Sequence, residues 1–169
     1  MENKHHERDA RKEFERLRGK YLTFRLGLEE YGFEVRKVRE IIRIMDITRL
    51  PRTPEFVKGV INLRGKVVPV VDLRLRFGMA ERPYDEKTCI IVVEVREGDT
   101  MIPLGVIVDT VKEVLPFTPE DLDPVPDFGI PLDTAFILAM AKGKGTVSAL
   151  VDIDKVLTAE ELHMLPQTE

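Results

Sequence analysis

The side chains that most often carry chemistry are few in this chain, and their spacing argues against catalysis. Cys89 is the only cysteine, which leaves no internal disulfide and no multi-cysteine metal site. It opens the apolar run Cys89-Ile-Ile-Val-Val, where a buried, inert thiol is expected. His5 and His6 are adjacent, a poor geometry for chelation from a helix, and read as solvated residues. His163 has no cysteine or carboxylate at a ligand spacing. Asp121 and Asp123 lie in an acidic stretch that lacks the order of an EF-hand loop, and read as solvated charge. Asp72 and Asp152 each follow a strand-like run and precede a helix-like turn, so capping accounts for both. The sequence has no glycine-rich phosphate loop, no G-x-S-x-G and no H-E-x-x-H. No catalytic residue, metal or cofactor is assigned. The expected function is binding, not enzymatic turnover.

The chain's bulk properties narrow the partners. Its 169 residues suit one domain or two small ones, and 43% hydrophobic residues are enough to build a core. A net charge of -4 argues against nucleic acid, whose binding depends on cationic neutralisation of phosphates. No apolar run reaches the roughly 18 residues of a membrane span, and the charged N-terminus is no secretory signal. A cytoplasmic protein without direct membrane insertion is expected.

The elements that must present a binding surface are mostly strands. Residues 1–19 form a charged extension, with Phe14 and Leu17 spaced for one face of a short, loosely docked helix. Tyr21-Leu-Thr-Phe-Arg-Leu alternates as a strand does, and Gly27 closes it. Val35, Val38, Ile41, Ile42 and Met45 have helical spacing, but β-branched residues dominate. The reading is strand, tight turn near Lys37-Val38, strand. Val57–Leu63 and Lys66–Val71 form a hairpin about Arg64-Gly65, with Gly65 free to take positive φ. Pro69 suggests an edge position for the second of these strands. Asp72 caps the turn Leu73–Phe77, and Gly78 ends it. Residues 79–87 are a connection, Thr88–Val95 and Ile102–Asp109 are strands, and Pro116–Pro131 reads as an irregular loop. Thr146–Val151 is a last strand, and Thr158 with Glu161 has the spacing of a capping box.

The chain also repeats itself. Gly32, Val35, Val38 and Glu40 match Gly105, Val108, Val111 and Glu113, each 73 residues on (105 − 32). Arg64–Leu73 meets Lys144–Ile153 at an offset of 80 (145 − 65 and 152 − 72). The difference of seven fits an insertion in the proline-containing stretch. Each copy has the strand content of a small barrel. The expected fold is mainly β: two SH3-like five-stranded β-barrels in one chain with a groove between them, short helices and a C-terminal helix. Residues 20–80 are assigned to the first barrel, 86–157 to the second and 158–169 to a C-terminal helix or tail, with strand exchange between the barrels left open.

The stretch Glu55–Arg74, together with Tyr21–Leu26, Tyr31–Val35, Val38–Ile41 and Arg49-Leu-Pro, resembles the signature of the CheW-like domain. Gly105–Val111, Val114-Leu and Leu150–Leu157 continue the likeness, which spans about residues 20 to 158. The resemblance implies two five-stranded barrels and a non-enzymatic chemotaxis adaptor. Its partners would be the regulatory domain of the histidine kinase CheA and the cytoplasmic tip of chemoreceptors. Its place would be cytoplasmic, in arrays at the membrane. Carried over residue by residue, it assigns receptor binding to Val38, Glu40 and Arg64, and kinase binding to Gly59. Glu40 and Arg64 are expected to pair beside an apolar strip. The chain departs from the family pattern at Lys142-Gly-Lys-Gly145, which bears on the partners of the second barrel. It ends before any kinase core or receiver domain, which favours a stand-alone adaptor over other architectures with this domain. A module of another chemosensory pathway and a small-ligand-binding β-barrel remain the alternatives.

Overall fold

The protein is described by a computed structural model over residues 11–126, 135–143 and 145–165. His5, His6, part of the proline-containing stretch and Lys144 lie outside these residues. Helix α1 covers residues 11–17. Strands β1 (Gly19–Leu26) and β2 (Glu29–Glu34) form a hairpin, and a 3-10 turn, Val35–Lys37, leads to β3 (Val38–Arg43). The turn falls where β-branched residues outweighed helical spacing, so the strand–turn–strand reading of this segment holds. A second hairpin, β4 (Val57–Leu63) and β5 (Lys66–Asp72), runs into helix α2 (Leu73–Arg76). Strands β6 (Cys89–Glu97), β7 (Thr100–Val108) and β8 (Thr110–Phe117) follow, then β9 (Leu122–Asp123), β10 (Ile137–Lys142), β11 (Val147–Val151) and helix α3 (Ala159–Met164).

Caps set the ends of the short helices. The Asp72 carboxylate accepts from the Arg74 and Leu75 N–H groups, and Asp152 accepts from Asp154 N–H. Thr158 and Glu161 close a capping box at α3. Asp121 is also a cap, accepting from the Thr118 N–H at 2.8 Å, while Asp123 pairs with Lys142 at 3.2 Å. Both acidic residues are thus engaged, not merely solvated. The segment read as an irregular loop contains the end of β8, a 3-10 turn (Pro119–Asp121) and β9.

The strands form two sheets, in the orders β8-β1-β2-β11-β10-β9 and β3-β6-β7-β5-β4. Each draws on chain segments from both sides of the 79–87 connection. The pairings are antiparallel except β2 with β11 and β7 with β5, which are parallel. Matching β8, β1, β2, β11 and β10 to β3, β6, β7, β5 and β4 in order superimposes the two topologies. The repeat accounts for this: Gly32 sits opposite Leu150 and Gly105 opposite Val70, and the partners are themselves 80 apart (150 − 70). Even the short β9 has a counterpart, since Thr48 forms an isolated bridge to Val60 on β4.

Each sheet curls around its own apolar cluster. Ile42, Ile61, Val68, Ile90, Val92 and Ile107 bring side chains from all five strands of one sheet together. Tyr21, Phe117, Leu122, Ala139, Ala141 and Leu150 form the cluster of the other, from every strand of that sheet except β2. Phe14 and Leu17 of α1 pack half-buried against this second cluster, and the Tyr21 hydroxyl donates to the Leu17 carbonyl at 2.7 Å. A third cluster fills the space between the sheets, with Phe24, Leu26 and Phe33 meeting Val71, Ile91, Val93 and Leu104. The interior there is packed where the sequence suggested a groove. Burial of each such side chain contributes about 1.5–3 kcal/mol. Cys89 is only partly buried at the edge of this core, and its thiol donates to the Lys87 carbonyl.

Pro69 needs a different account from the edge position expected of it. Strand β5 is internal, between β7 and β4. The parallel ladder to β7 begins only at Val70, so Pro69 lies just outside it while still opposite Val60 of β4.

Gly105 marks a close approach of β7 to its neighbours in the five-stranded sheet. A Cβ there would lie 2.9 Å from Ile90 Cγ2 and 3.1 Å from Val70 Cγ2, both in packed core. Gly105→Ala should therefore lower stability by about 1–3 kcal/mol in urea unfolding, the usual cost of overpacking. An unchanged midpoint would contradict the close β7–β5 contact.

Candidate protein-docking site

The β4–β5 hairpin turns on two residues with positive φ, Arg64 at 53° and Gly65 at 84°. Such a turn matches the twist of paired strands. Asn62 Oδ1 supports it by accepting the Gly65 N–H at 2.9 Å. Glycine at 65 was legible in the sequence, but positive φ at Arg64 was not. The conformation carries the guanidinium away from its own hairpin and across to β3.

There Arg64 meets Glu40 in a two-pronged ion pair, with Nη1 donating to Oε1 at 3.0 Å and Nη2 to Oε2. Strand β3 is one edge of the five-stranded sheet, and β4 is the other. The pair thus clasps two opposite edges across the curl of the sheet. Hydrogen bonding from Arg64 holds the Glu40 carboxyl below its ordinary value. Arg64 stays 72% exposed, so the clasp is reachable from solvent. Beside it lies a depression of about 480 Å³, lined by Leu63, Lys66, Val68, Val92 and Pro103 as well as the pair. Arg39 adds a further cation, pairing with Glu94 at 3.3 Å. The expected pairing of Glu40 with Arg64 is present, and the apolar side chains beside it are the half-buried Leu63 and Pro103 over the buried Val68 and Val92.

Val38 does not join them. A β-bulge between Val38 and Glu40 sets Val38 opposite Val93 and Glu40 opposite Val92. Val93 belongs to the core between the sheets, whereas Val92 belongs to the cluster inside the five-stranded sheet. The extra residue reverses the alternation. Val38 is consequently half-buried against the inter-sheet core, and Arg39 and Glu40 both face the depression.

Gly59 is buried and offers no surface of its own. Its φ is 139°, and a Cβ there would fall 2.0 Å from the Thr48 carbonyl oxygen and 3.0 Å from Arg49 Cα. Only glycine lets residues 48–49 lie against β4, where Thr48 and Val60 exchange two backbone hydrogen bonds of 2.9 Å. Whatever Gly59 contributes to binding passes through the segment it seats.

Sequence reasoning missed a second charged centre. The Asp109 carboxylate, nearly buried, accepts from the Gly27 N–H and from Arg74 Nη1, each at 2.6 Å, and from Arg82 Nη1 at 3.1 Å. It joins the β1–β2 turn, α2 and the 79–87 connection at one point. The repeat contained a signal for it, because Arg74 aligns with Asp154 (154 − 74 = 80). Asp154 in turn pairs with Lys37 at 2.8 Å, one residue past Arg36, the counterpart of Asp109 (109 − 73 = 36), so a similar contact occurs with its charges exchanged. His163 Nδ1 lies 3.4 Å from Glu97, a carboxylate brought near by folding alone. Among the described residues, no three His, Cys, Asp or Glu side chains converge as a metal site. No helix there is long and apolar enough to cross a membrane.

Comparisons with known proteins bear on this geometry. The family model described as the CheW-like domain matches residues 20–161. The chemotaxis protein CheW of Klebsiella aerogenes is 40% identical over 145 residues, covering 86% of this chain and 85% of the relative. The CheW of Thermotoga maritima is 34% identical over 152 residues, covering 88% and 91%. Among solved structures, the scaffolding protein TtCheW of Thermoanaerobacter tengcongensis matches with a TM-score of 0.75 at 35% identity, over 85% of this chain and 97% of that one.

Two measurements check the site geometry. In Arg64→Ala, NMR titration of the Glu40 carboxyl should move up toward the ordinary glutamate value; an unmoved titration would mean that no clasp exists. Above that value the clasp is fully formed, and it is lost as pH falls through the lowered pKa of the folded state. In Gly59→Ala, the Thr48 and Val60 amides should lose protection from hydrogen exchange ahead of the rest of the sheet. Retained protection at both would refute the tight seating of residues 48–49.

Proposed function

Since the chain belongs to the CheW-like domain family, we propose that it is a non-enzymatic chemotaxis adaptor linking the histidine kinase CheA to the cytoplasmic tip of chemoreceptors. It would act in the cytoplasm, held in receptor arrays through these partners. The observation that carries this reading is the Glu40–Arg64 clasp beside its open depression. A receptor tip is a helical hairpin, and a helix presents an apolar face flanked by charges. Leu63 and Pro103, half-buried over the core residues Val68 and Val92, offer apolar area for such a face. Glu40, Arg64, Arg39 and Lys66 supply rim charges of both signs, which fix register more than they add affinity.

Receptor binding is assigned to Glu40 and Arg64 as contact residues. Val38 joins them as the anchor of the strand that carries Glu40, since it packs into the inter-sheet core just before the bulge. Kinase binding is assigned to Gly59 through the segment it seats against β4.

Co-sedimentation with receptor-bearing membranes and CheA tests the reading. The protein should enter the pellet with both and raise receptor-controlled kinase activity. Sedimentation with neither, with no rise in activity, would sink it. Arg64→Glu should weaken receptor coupling on the order of tenfold while leaving the fold intact. Undiminished coupling would remove the site assignment.

A further inference from the structure

Strands β1 and β6 hold matching places in the two sheets, so the segments that lead into them are counterparts. The two segments are held differently. The connection before β6 is fixed to buried or nearly buried carboxylates, through Arg82 on Asp109 and the Tyr84 hydroxyl donating to Asp72 at 2.8 Å. Helix α1, before β1, has no such tie among the described residues. Phe14 and Leu17 rest half-buried on the cluster of the six-stranded sheet beside Leu115 and Leu138, and the other five residues of α1 are exposed. The Tyr21 hydroxyl donates to the Leu17 carbonyl at one end, and an exposed ion pair of Arg11 with Glu120, at 3.5 Å, marks the other. A helix this short does not persist in water without a surface to lie on.

The chain passes from α1 to β1 through Gly19 at φ 154°, backbone that a residue with a side chain rarely adopts. A Cβ there would meet no atom within 4 Å, so glycine serves the path of the chain and not a lack of room. The docked position of α1 thus depends on one permissive residue, a small apolar contact and exposed charge. An identical seat exists on every other copy of the chain. We propose that α1 is exchangeable: two copies dock it reciprocally, each on the six-stranded sheet of the other, with Gly19 as the hinge. Exchange remakes between two chains the contacts that Arg11, Phe14 and Leu17 make within one. It closes on a two-fold axis and needs no new interface, the general logic of domain swapping. The Glu40–Arg64 clasp and Gly59 belong to the five-stranded sheet and take no part. Nothing in this exchange depends on the adaptor reading.

Light scattering of the full chain over a range of protein concentrations is the test. The chain should show a reversible dimer that grows with concentration. Gly19→Ala strains the self-docked form, and should raise the association constant on the order of tenfold. Phe14→Asp added to Gly19→Ala should return the protein to monomers, because α1 then fits neither seat, and Leu17→Asp should do the same. Both side chains are only half-buried, and circular dichroism with urea unfolding checks that the sheets stay folded. Hydrogen exchange should find the α1 amides as protected in the Gly19→Ala dimer as in the unmodified monomer. A Gly19→Ala chain that is monomeric at every concentration overturns the exchange, whether α1 is then protected or open. A dimer that survives both Phe14→Asp and Leu17→Asp is built through another face and overturns it equally.

Discussion

The parallel contact of β7 with β5, repeated as β2 against β11, is the constraint from which the architecture follows. Parallel neighbours cannot be joined by a hairpin and need a crossover connection. Here the crossover is met by exchange: β1 and β2 sit with β11 and β10, while β6 and β7 sit with β5 and β4. Glycines 32 and 105 allow the close approach, because a Cβ at either would press on the side chain of the partner strand. Neither sheet is made from one contiguous stretch. The sheets therefore cannot form independently, and the core between them is shared by construction.

Exchange also explains where the buried charge lies. Arg74 follows β5 and Asp109 follows β7, so their pair closes over the end of one parallel contact. Lys37 and Asp154 close over the other, with signs reversed. A half-buried ion pair is a weak source of net stability, yet removal of one partner is costly. Opposite charge assignments at the ends of the two parallel contacts have a second consequence. They disfavour pairing each copy's strands with the wrong counterpart, since like charges would then meet. Asp109 further ties down the connection that carries Glu81 and Arg82, so a core feature sets the position of surface residues.

The sequence exposed the repeated units and hid their pairing. Alternation, glycines at turns and β-branched runs mark most strands, and a cap needs only local spacing, so Asp72, Asp152 and Thr158 were readable. Strand β10 was not singled out, because Ala139 and Ala141 lack the bulky branched character of strand residues. Which sheet a strand joins depends on contacts distant in sequence, and Pro69 looked like an edge residue for that reason. The candidate site divides the same way. Glu40 and Arg64 were recognisable as a pair once the family likeness was seen. The bulge that turns Val38 away from them adds one residue to a ladder, and no residue type announces it. Gly59 was visible as a glycine, but its reason lies in Thr48 and Arg49, which meet it only in the folded chain.

The two proposed faces share one strand. Lys58 stands near the start of β4, next to Gly59, and Arg64 lies just past its other end, six residues on (64 − 58). At about 3.3 Å per residue the separation is roughly 20 Å, too far for the two rims to touch and short enough for a rigid link. The strand is held along its length by β5, at one end by Thr48 and at the other by the clasp to Glu40. A scaffold of this kind has no need to change shape in order to act. It fixes the spacing and orientation of whatever its two ends hold, and a shift in one partner is passed to the other as displacement. The clasp and the glycine seat then have the same physical effect: each removes slack at one end of β4, where the proposed partners would meet it.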